Sequence, residues 1–139
     1  MKVKKKLLIN CKIGKVFTSI ANGLLFEATG LLKGSLQIDF QEGGEYSLKW
    51  PEAGNCKGQF IKIEPDKQIH FSWIKSEAKY TTTQLTTEVK VTLSEIDNDT
   101  NLELIHSGFT EKMAYDSHNQ GWNEVLEIFK NSCSKRTIT

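Results

Sequence analysis

Gly34-Ser35-Leu36-Gln37-Ile38-Asp39-Phe40-Gln41-Glu42-Gly43-Gly44-Glu45-Tyr46-Ser47-Leu48-Lys49-Trp50 is the stretch that decides the fold. Leu36, Ile38 and Phe40 alternate with Ser35, Gln37 and Asp39, and beyond Gly43-Gly44 the residues Tyr46, Leu48 and Trp50 alternate with Glu45, Ser47 and Lys49. A period of two sends alternate side chains to opposite faces, so these are antiparallel strands with one buried and one wet face. Gly43-Gly44 supplies the positive φ that a hairpin turn needs, which explains the pair better than phosphate binding does. The same pattern continues downstream. Pro51 to Asn55 is a loop, and Gly58 to Ile63 is a strand. Glu64-Pro65-Asp66-Lys67 is a tight turn with Pro second, and Ile69, Phe71 and Trp73 share one strand face. After a polar stretch from Lys75 to Thr87 come Val89, Val91 and Leu93, then the turn Asp97-Asn98-Asp99, then Leu102, Leu104 and His106. This is a meander of six strands.

Outward from the meander the periodicity is helical. Residues 2 to 11 form a first strand, whose lysine-rich start reads as a solvated strand end that discourages edge pairing. Val16, Phe17, Ile20 and Ala21 then define a short helix over 13–22, closed by Asn22-Gly23, and Leu24, Leu25, Phe26 and Ala28 form a second before Gly30. At the other end His118, Trp122, Val125, Leu126, Phe129 and Cys133 make one apolar stripe of the longest helix. It can start at the capping-box spacing of Ser117-His118-Asn119-Gln120, with Glu111 to Tyr115 able to add an earlier turn. Residues 134–139 read as a frayed tail. Trp122 is placed as the anchor of this helix, with Gly121 beside it allowing close approach of a neighbouring backbone.

The 139 residues are one domain's worth of chain, with 18 Lys+Arg against 17 Asp+Glu and a formal net charge of +1. That balance removes the basic footprint of a nucleic-acid binder, and 38% hydrophobic residues is too many for a disordered tail. No run approaches the ~18 apolar residues of a membrane span, and the N-terminus does not read as a secretory signal. A soluble cytoplasmic protein is expected. Cys11, Cys56 and Cys133 are odd in number and never in a C-x-x-C pair, so they are expected to be free thiols.

Val16-Phe17 after the first strand, Gly43-Gly44-Glu45-Tyr46-Ser47-Leu48, Gly58 followed by Ile61-Lys62-Ile63-Glu64-Pro65, Ile69-His70-Phe71-Ser72-Trp73, Thr100 to Phe109, and His118-Asn119-Gln120-Gly121-Trp122 with Leu126 occur in a telling order. Together, from about residue 3 to residue 132, they resemble the START-like (SRPBCC) superfamily, and within it the bacterial domains similar to the activator of the Hsp90 ATPase. The usual proline of the first helix and tryptophan of the second are replaced by Ile13-Gly14 and Leu24-Leu25-Phe26. The resemblance implies an α+β helix-grip fold: a curved, seven-stranded antiparallel sheet wrapped around the long C-terminal helix, with two short helices after strand 1. It also implies a cavity between sheet and helix, used in different members for apolar ligands, for polyketide-type chemistry or for chaperone contact. Lipid binding and stress response belong to that range of roles.

Phosphate loops, dinucleotide fingerprints, H-E-x-x-H and G-x-S-x-G elbows are absent from the sequence. Alternation puts His106 on the face of Leu102 and Leu104, and His118 lies in the helical stripe with Trp122, whereas His70 points outward with Ser72. Two inward imidazoles could bind metal or shuttle a proton, but without a third ligand or an inward carboxylate they read as satisfied core or cavity histidines. Asp116 lies on a different helix face from His118. Tyr46, Trp50, Phe71 and Trp73 fall on the concave face opposite Trp122 and Phe129, either as ordinary core or as the wall of a pocket with Tyr46 and His106 as polar handles. The leading expectation is a non-enzymatic domain binding a small hydrophobic or amphipathic molecule through Tyr46, Trp50, Phe71, Trp73, His106, His118 and Trp122, with no catalytic residue, metal or cofactor. The alternatives are a module that contacts an Hsp90-type chaperone, and a small lyase, cyclase or hydrolase using His106 or His118.

Overall fold

The computed structural model describes residues 1–51, 54–76 and 85–138. The chain runs β1 (Lys2–Ile9), α1 (Ile13–Ala21), α2 (Leu24–Glu27), β2 (Gln37–Ile38), β3 (Glu45–Lys49), β4 (Asn55–Glu64), β5 (Gln68–Ser76), β6 (Leu85–Ile96), β7 (Asp99–Ser107) and α3 (Lys112–Ile138). The strands form one seven-stranded antiparallel sheet in the order β1-β7-β6-β5-β4-β3-β2. Consecutive strands pair throughout the meander, and β1 returns beside the last strand. This is the expected helix-grip architecture.

Period-two burial is most regular in β6, where Leu85, Thr87, Val89, Val91 and Leu93 are buried between more exposed neighbours. Inward residues of β1, β4, β5 and β7 join them, and α3 lays Ala114, Trp122, Leu126, Phe129 and Cys133 onto the resulting concave surface. A large apolar side chain removed from water in this way contributes about 1.5–3 kcal/mol. Both short helices form. Gly23, at φ 88, ends α1 and starts α2, and α2 buries Leu25 and Phe26. Phe26 stacks on Tyr46 at 4.4 Å between ring centroids, so α2 anchors to the sheet through an aromatic ring.

Two expectations are corrected. The strand predicted through Leu36, Ile38 and Phe40 pairs only over Gln37–Ile38, because Phe40 leaves the sheet to pack edge-on against Phe17 and Phe60. α3 starts at Lys112, the earlier of the two starts the sequence offered, with Ala114 already buried in its first turn and a Lys112–Asp116 ion pair of 2.8 Å along its surface. The tail predicted to fray instead continues the helix to Ile138, and no Gly or Pro stands there to break it. The loop expected at Pro51 to Asn55 and the polar stretch before Thr87 lie partly outside the described residues.

Candidate functional site

The inward series of β5 does not stop at Trp73. Ile69, Phe71 and Trp73 are followed at the same parity by Lys75, which stands opposite Cys56 of β4. Above this end of the sheet, α3 presents Ser117, His118, Gly121, Trp122 and Val125; with Thr29 after α2 and Trp50 after β3 they enclose a cavity of about 220 Å³. Its volume is below the roughly 300–1,000 Å³ of drug-sized sites, so it suits a small molecule. Gly121 does not bring a neighbouring backbone close, as the sequence suggested: a Cβ placed there would meet nothing within 4 Å. The missing side chain leaves open space in the wall of the cavity.

All three tryptophans of the chain line this cavity. Two of their indole N–H groups are used within the protein. Trp50 Nε1 donates to Thr29 Oγ1 at 2.9 Å, and that hydroxyl donates to the Phe26 carbonyl at 2.6 Å, which ties β3 to the end of α2. Trp122 Nε1 donates to His106 Nδ1 at 2.9 Å, tying α3 to β7. Trp73 differs: it is 3% exposed, and its Nε1–H meets no acceptor among the described residues. An unmet buried donor of this kind costs about 1–3 kcal/mol.

His106 is locked by its partners. Thr87 Oγ1 donates to the Trp73 carbonyl at 3.0 Å, so the 2.7 Å contact between Thr87 Oγ1 and His106 Nε2 must be donated by the imidazole. Nδ1 already accepts from Trp122, which leaves a neutral ring with both nitrogens engaged. Burial, with a smaller effect from His118, drives its pKa down to about 2. Such a ring has no lone pair to offer a metal and no open position for proton transfer. His118 stands at right angles to it, 5.1 Å between centroids, and donates from Nδ1 to the Ala114 carbonyl at 2.8 Å. Burial lowers its pKa to about 4; the Ala114 bond opposes that shift and the Lys75 charge adds to it. Lys75 sits with Nζ 5.0 Å from the Trp50 ring centroid, and burial lowers its pKa.

The sequence-predicted residues therefore divide. Trp50, Trp73, His118 and Trp122 line the cavity together. Tyr46 and Phe71 pack deeper, with Phe26 and Phe60, and His106 is fully buried behind Trp122, so none of the three stands in the cavity wall. The Tyr46 hydroxyl donates to the Ser72 carbonyl at 2.6 Å across Gly58, where any Cβ would run into that carbonyl and the Tyr46 ring. His70 faces outward and pairs with Glu88 at 3.2 Å. Sequence reading missed Lys75, Thr29 and Thr87. Extending the alternation of β5 forward and of β6 backward by one period finds Lys75 and Thr87, whereas nothing in the sequence marks Thr29 as the partner of Trp50. A wider groove of about 940 Å³ lies between the start of α1 and the β6–β7 turn, where Lys12, Lys15, Glu95, Asp97 and Asp99 give it mixed charge. Among the described residues no group of three or more His, Cys, Asp or Glu could hold a metal ion.

Solved structures repeat the architecture at low identity. A Mesorhizobium loti protein, MLL2253, superposes with a TM-score of 0.83 at 19% identity, covering 99% of this chain and 98% of its own. The Aha1 dimer from Colwellia psychrerythraea gives 0.76 at 15% identity, covering 96% of each chain. CalU16 from Micromonospora echinospora gives 0.75 at 20%, covering 99% of this chain and 78% of its own. Such identities establish the fold alone, and no curated protein matches the sequence. The family model described as activator of Hsp90 ATPase homolog 1-like protein matches residues 13–133, from the first turn of α1 to the last buried residue of the α3 stripe. With sheet order, helix placement and sequence in agreement, the chain belongs to the activator of Hsp90 ATPase homolog 1-like family.

Proposed function

We propose that this protein binds a small hydrophobic or amphipathic molecule in the cavity between the sheet and α3, without performing chemistry on it. The observation that carries this reading is the convergence of all three tryptophans on one 220 Å³ space that Gly121 leaves unfilled. Affinity would come from apolar area removed from water, at about 25 cal/mol per Å², less the cost of association. The locked, neutral His106 supports a binding role over acid–base catalysis. Three buried thiols and the lack of any helix apolar enough to cross a membrane among the described residues support a cytoplasmic setting. The test is a titration of tryptophan fluorescence with short-chain amphiphiles, backed by native mass spectrometry of freshly purified protein. Saturable change at one equivalent supports the proposal, and a flat response across the series removes it.

Contact with an Hsp90-type chaperone is the second reading, favoured by the family description. The outer sheet face would carry it, where Lys4, Lys6, Lys90, Glu88 and Glu103 are exposed. Adding the protein to such a chaperone and following the ATPase rate decides it: an unchanged rate rules it out.

A further inference from the structure

The chain as a whole is nearly neutral, yet one cleft in it carries charge of a single sign. About 430 Å³ in volume, it lies between the segment after α2 and the strands β3 and β4, is lined by Lys33, Lys49 and Lys57, and has no carboxylate among its described lining residues. None of these three ammonium groups enters an ion pair among the described residues. Strand register fixes how two of them stand. Lys57 is opposite Ser47 and Lys49 is opposite Asn55, so the two lysines are diagonal neighbours on the outer face of adjacent strands, where like charges repel. Glu45, the next outward residue of β3, stands opposite Gln59 one row further and is in no ion pair among the described residues. A fastened turn brings Lys33 to the same cleft. Ser35 N donates to the Leu32 carbonyl at 3.0 Å around Gly34 at φ 80, and Leu32 N donates to the Lys49 carbonyl at 2.7 Å. The Ser35 hydroxyl donates to that carbonyl at 3.2 Å and accepts from the Lys49 N–H at 3.1 Å. The wall that carries Lys33 is therefore held to β3 by the protein itself.

Independently of the binding role proposed above, we infer that this cleft is a second site, for a phosphomonoester whose phosphate is held by Lys33, Lys49 and Lys57. A phosphomonoester carries a charge of about −1.5 to −2 at pH 7 and three acceptor oxygens, which offsets the mutual repulsion of the lysines better than the single charge of a carboxylate. The three ammonium groups are exposed and ride on flexible four-carbon stems with rotatable donors, so they can turn toward one tetrahedral anion from different sides. Ser47 and Asn55, whose side chains have no hydrogen-bond partner among the described residues, stand beside them for the organic body. A volume of 430 Å³ falls within the roughly 300–1,000 Å³ of small-molecule sites. The groove at the start of α1 differs in the decisive respect: there Lys12 and Lys15 share the walls with Glu95, Asp97 and Asp99.

The test is calorimetry of glycerol 3-phosphate and of glycerate at low ionic strength, on the wild type and on Lys49→Gln, Lys57→Gln and Lys15→Gln, with the thermal midpoint as the folding control. A second arm sediments the same proteins with phosphatidylcholine vesicles, with and without phosphatidic acid, whose headgroup is also a phosphomonoester. The inference expects glycerol 3-phosphate to bind at least about fivefold tighter than glycerate, and Lys49→Gln and Lys57→Gln each to weaken it about fivefold, the upper end for one exposed charge pair. Lys15→Gln, in the mixed-charge groove, should leave it unchanged. Binding of the soluble ester identifies a soluble ligand; sedimentation with phosphatidic acid vesicles alone, lost in Lys49→Gln and Lys57→Gln, identifies a lipid headgroup. Binding in neither arm, equal affinity for glycerate, or binding that Lys49→Gln and Lys57→Gln affect no more than Lys15→Gln overturns the inference. None of these outcomes bears on the cavity beneath α3, which is tested with uncharged amphiphiles as well.

Discussion

His106 shows how a single side chain can be inward, polar, aromatic-flanked and yet remote from any reaction. It accepts from Trp122 and donates to Thr87, which in turn donates to the Trp73 carbonyl, so one imidazole joins α3, β7, β6 and β5. Replacing it with Leu keeps the volume but leaves the Trp122 indole without its acceptor and Thr87 without its donor. The expected loss is about 2–4 kcal/mol, as for buried polar groups deprived of partners, read as a shift of the urea midpoint. The two buried histidines also set a pH dependence. Both have folded pKa values below the ordinary 6.5, so the unfolded chain takes up protons that the native state refuses. Stability is then full above about pH 6.5 and declines as pH falls, by up to about 1.4 kcal/mol per pH unit for each histidine. His118 stops contributing near its own value of about 4, while His106 continues toward about 2. Urea midpoints between pH 7.5 and 5 should fall accordingly, and His118→Leu should flatten the slope by about half. A slope unchanged in that variant would show that His118 is protonated in the folded protein.

At the scale of elements, α3 is what the sheet closes on, and Trp122 is the side chain through which it is held. Trp122→Ala should cost about 3–5 kcal/mol, because it empties a packed space and frees His106 Nδ1. A denaturant midpoint that barely moves would contradict the packing described. The element order could be read in the sequence because alternation in the meander and the three-to-four spacing of the last stripe are unambiguous signals. What could not be read were departures caused by tertiary contacts. Phe40 continues the strand pattern of Leu36 and Ile38, yet two aromatic neighbours draw it out of the sheet. The candidate site was legible to the same extent. Trp50, Trp73, His118 and Trp122 follow from face assignment, whereas Tyr46, Phe71 and His106 share that face but sit too deep to reach the cavity. Face can be read from period; depth depends on how far α3 and α2 descend onto the sheet.

For the molecule as a whole, burial governs the reactive groups. Cys11, Cys56 and Cys133 are buried and in no disulfide among the described residues, and burial pushes the Cys56 thiol up to about 12 and raises that of Cys11. Native protein should therefore react only slowly with a thiol reagent and show three fast-reacting groups once unfolded; an intact mass lower by one disulfide in protein kept under native redox conditions would contradict this. The central claim is that the gap between sheet and α3 is a receptor and not a packing defect, and Gly121 separates the two. A side chain there meets nothing within 4 Å, and Leu in a helix interior is favoured over Gly by nearly ~1 kcal/mol. The decisive measurement is a tryptophan-fluorescence titration of wild type and Gly121→Leu with the same eight-carbon amphiphile, with urea midpoints recorded in parallel. The plugged variant should be at least as stable as the wild type and lose most of its binding. A variant that is equally stable and binds as well as the wild type would contradict the cavity as the site of function.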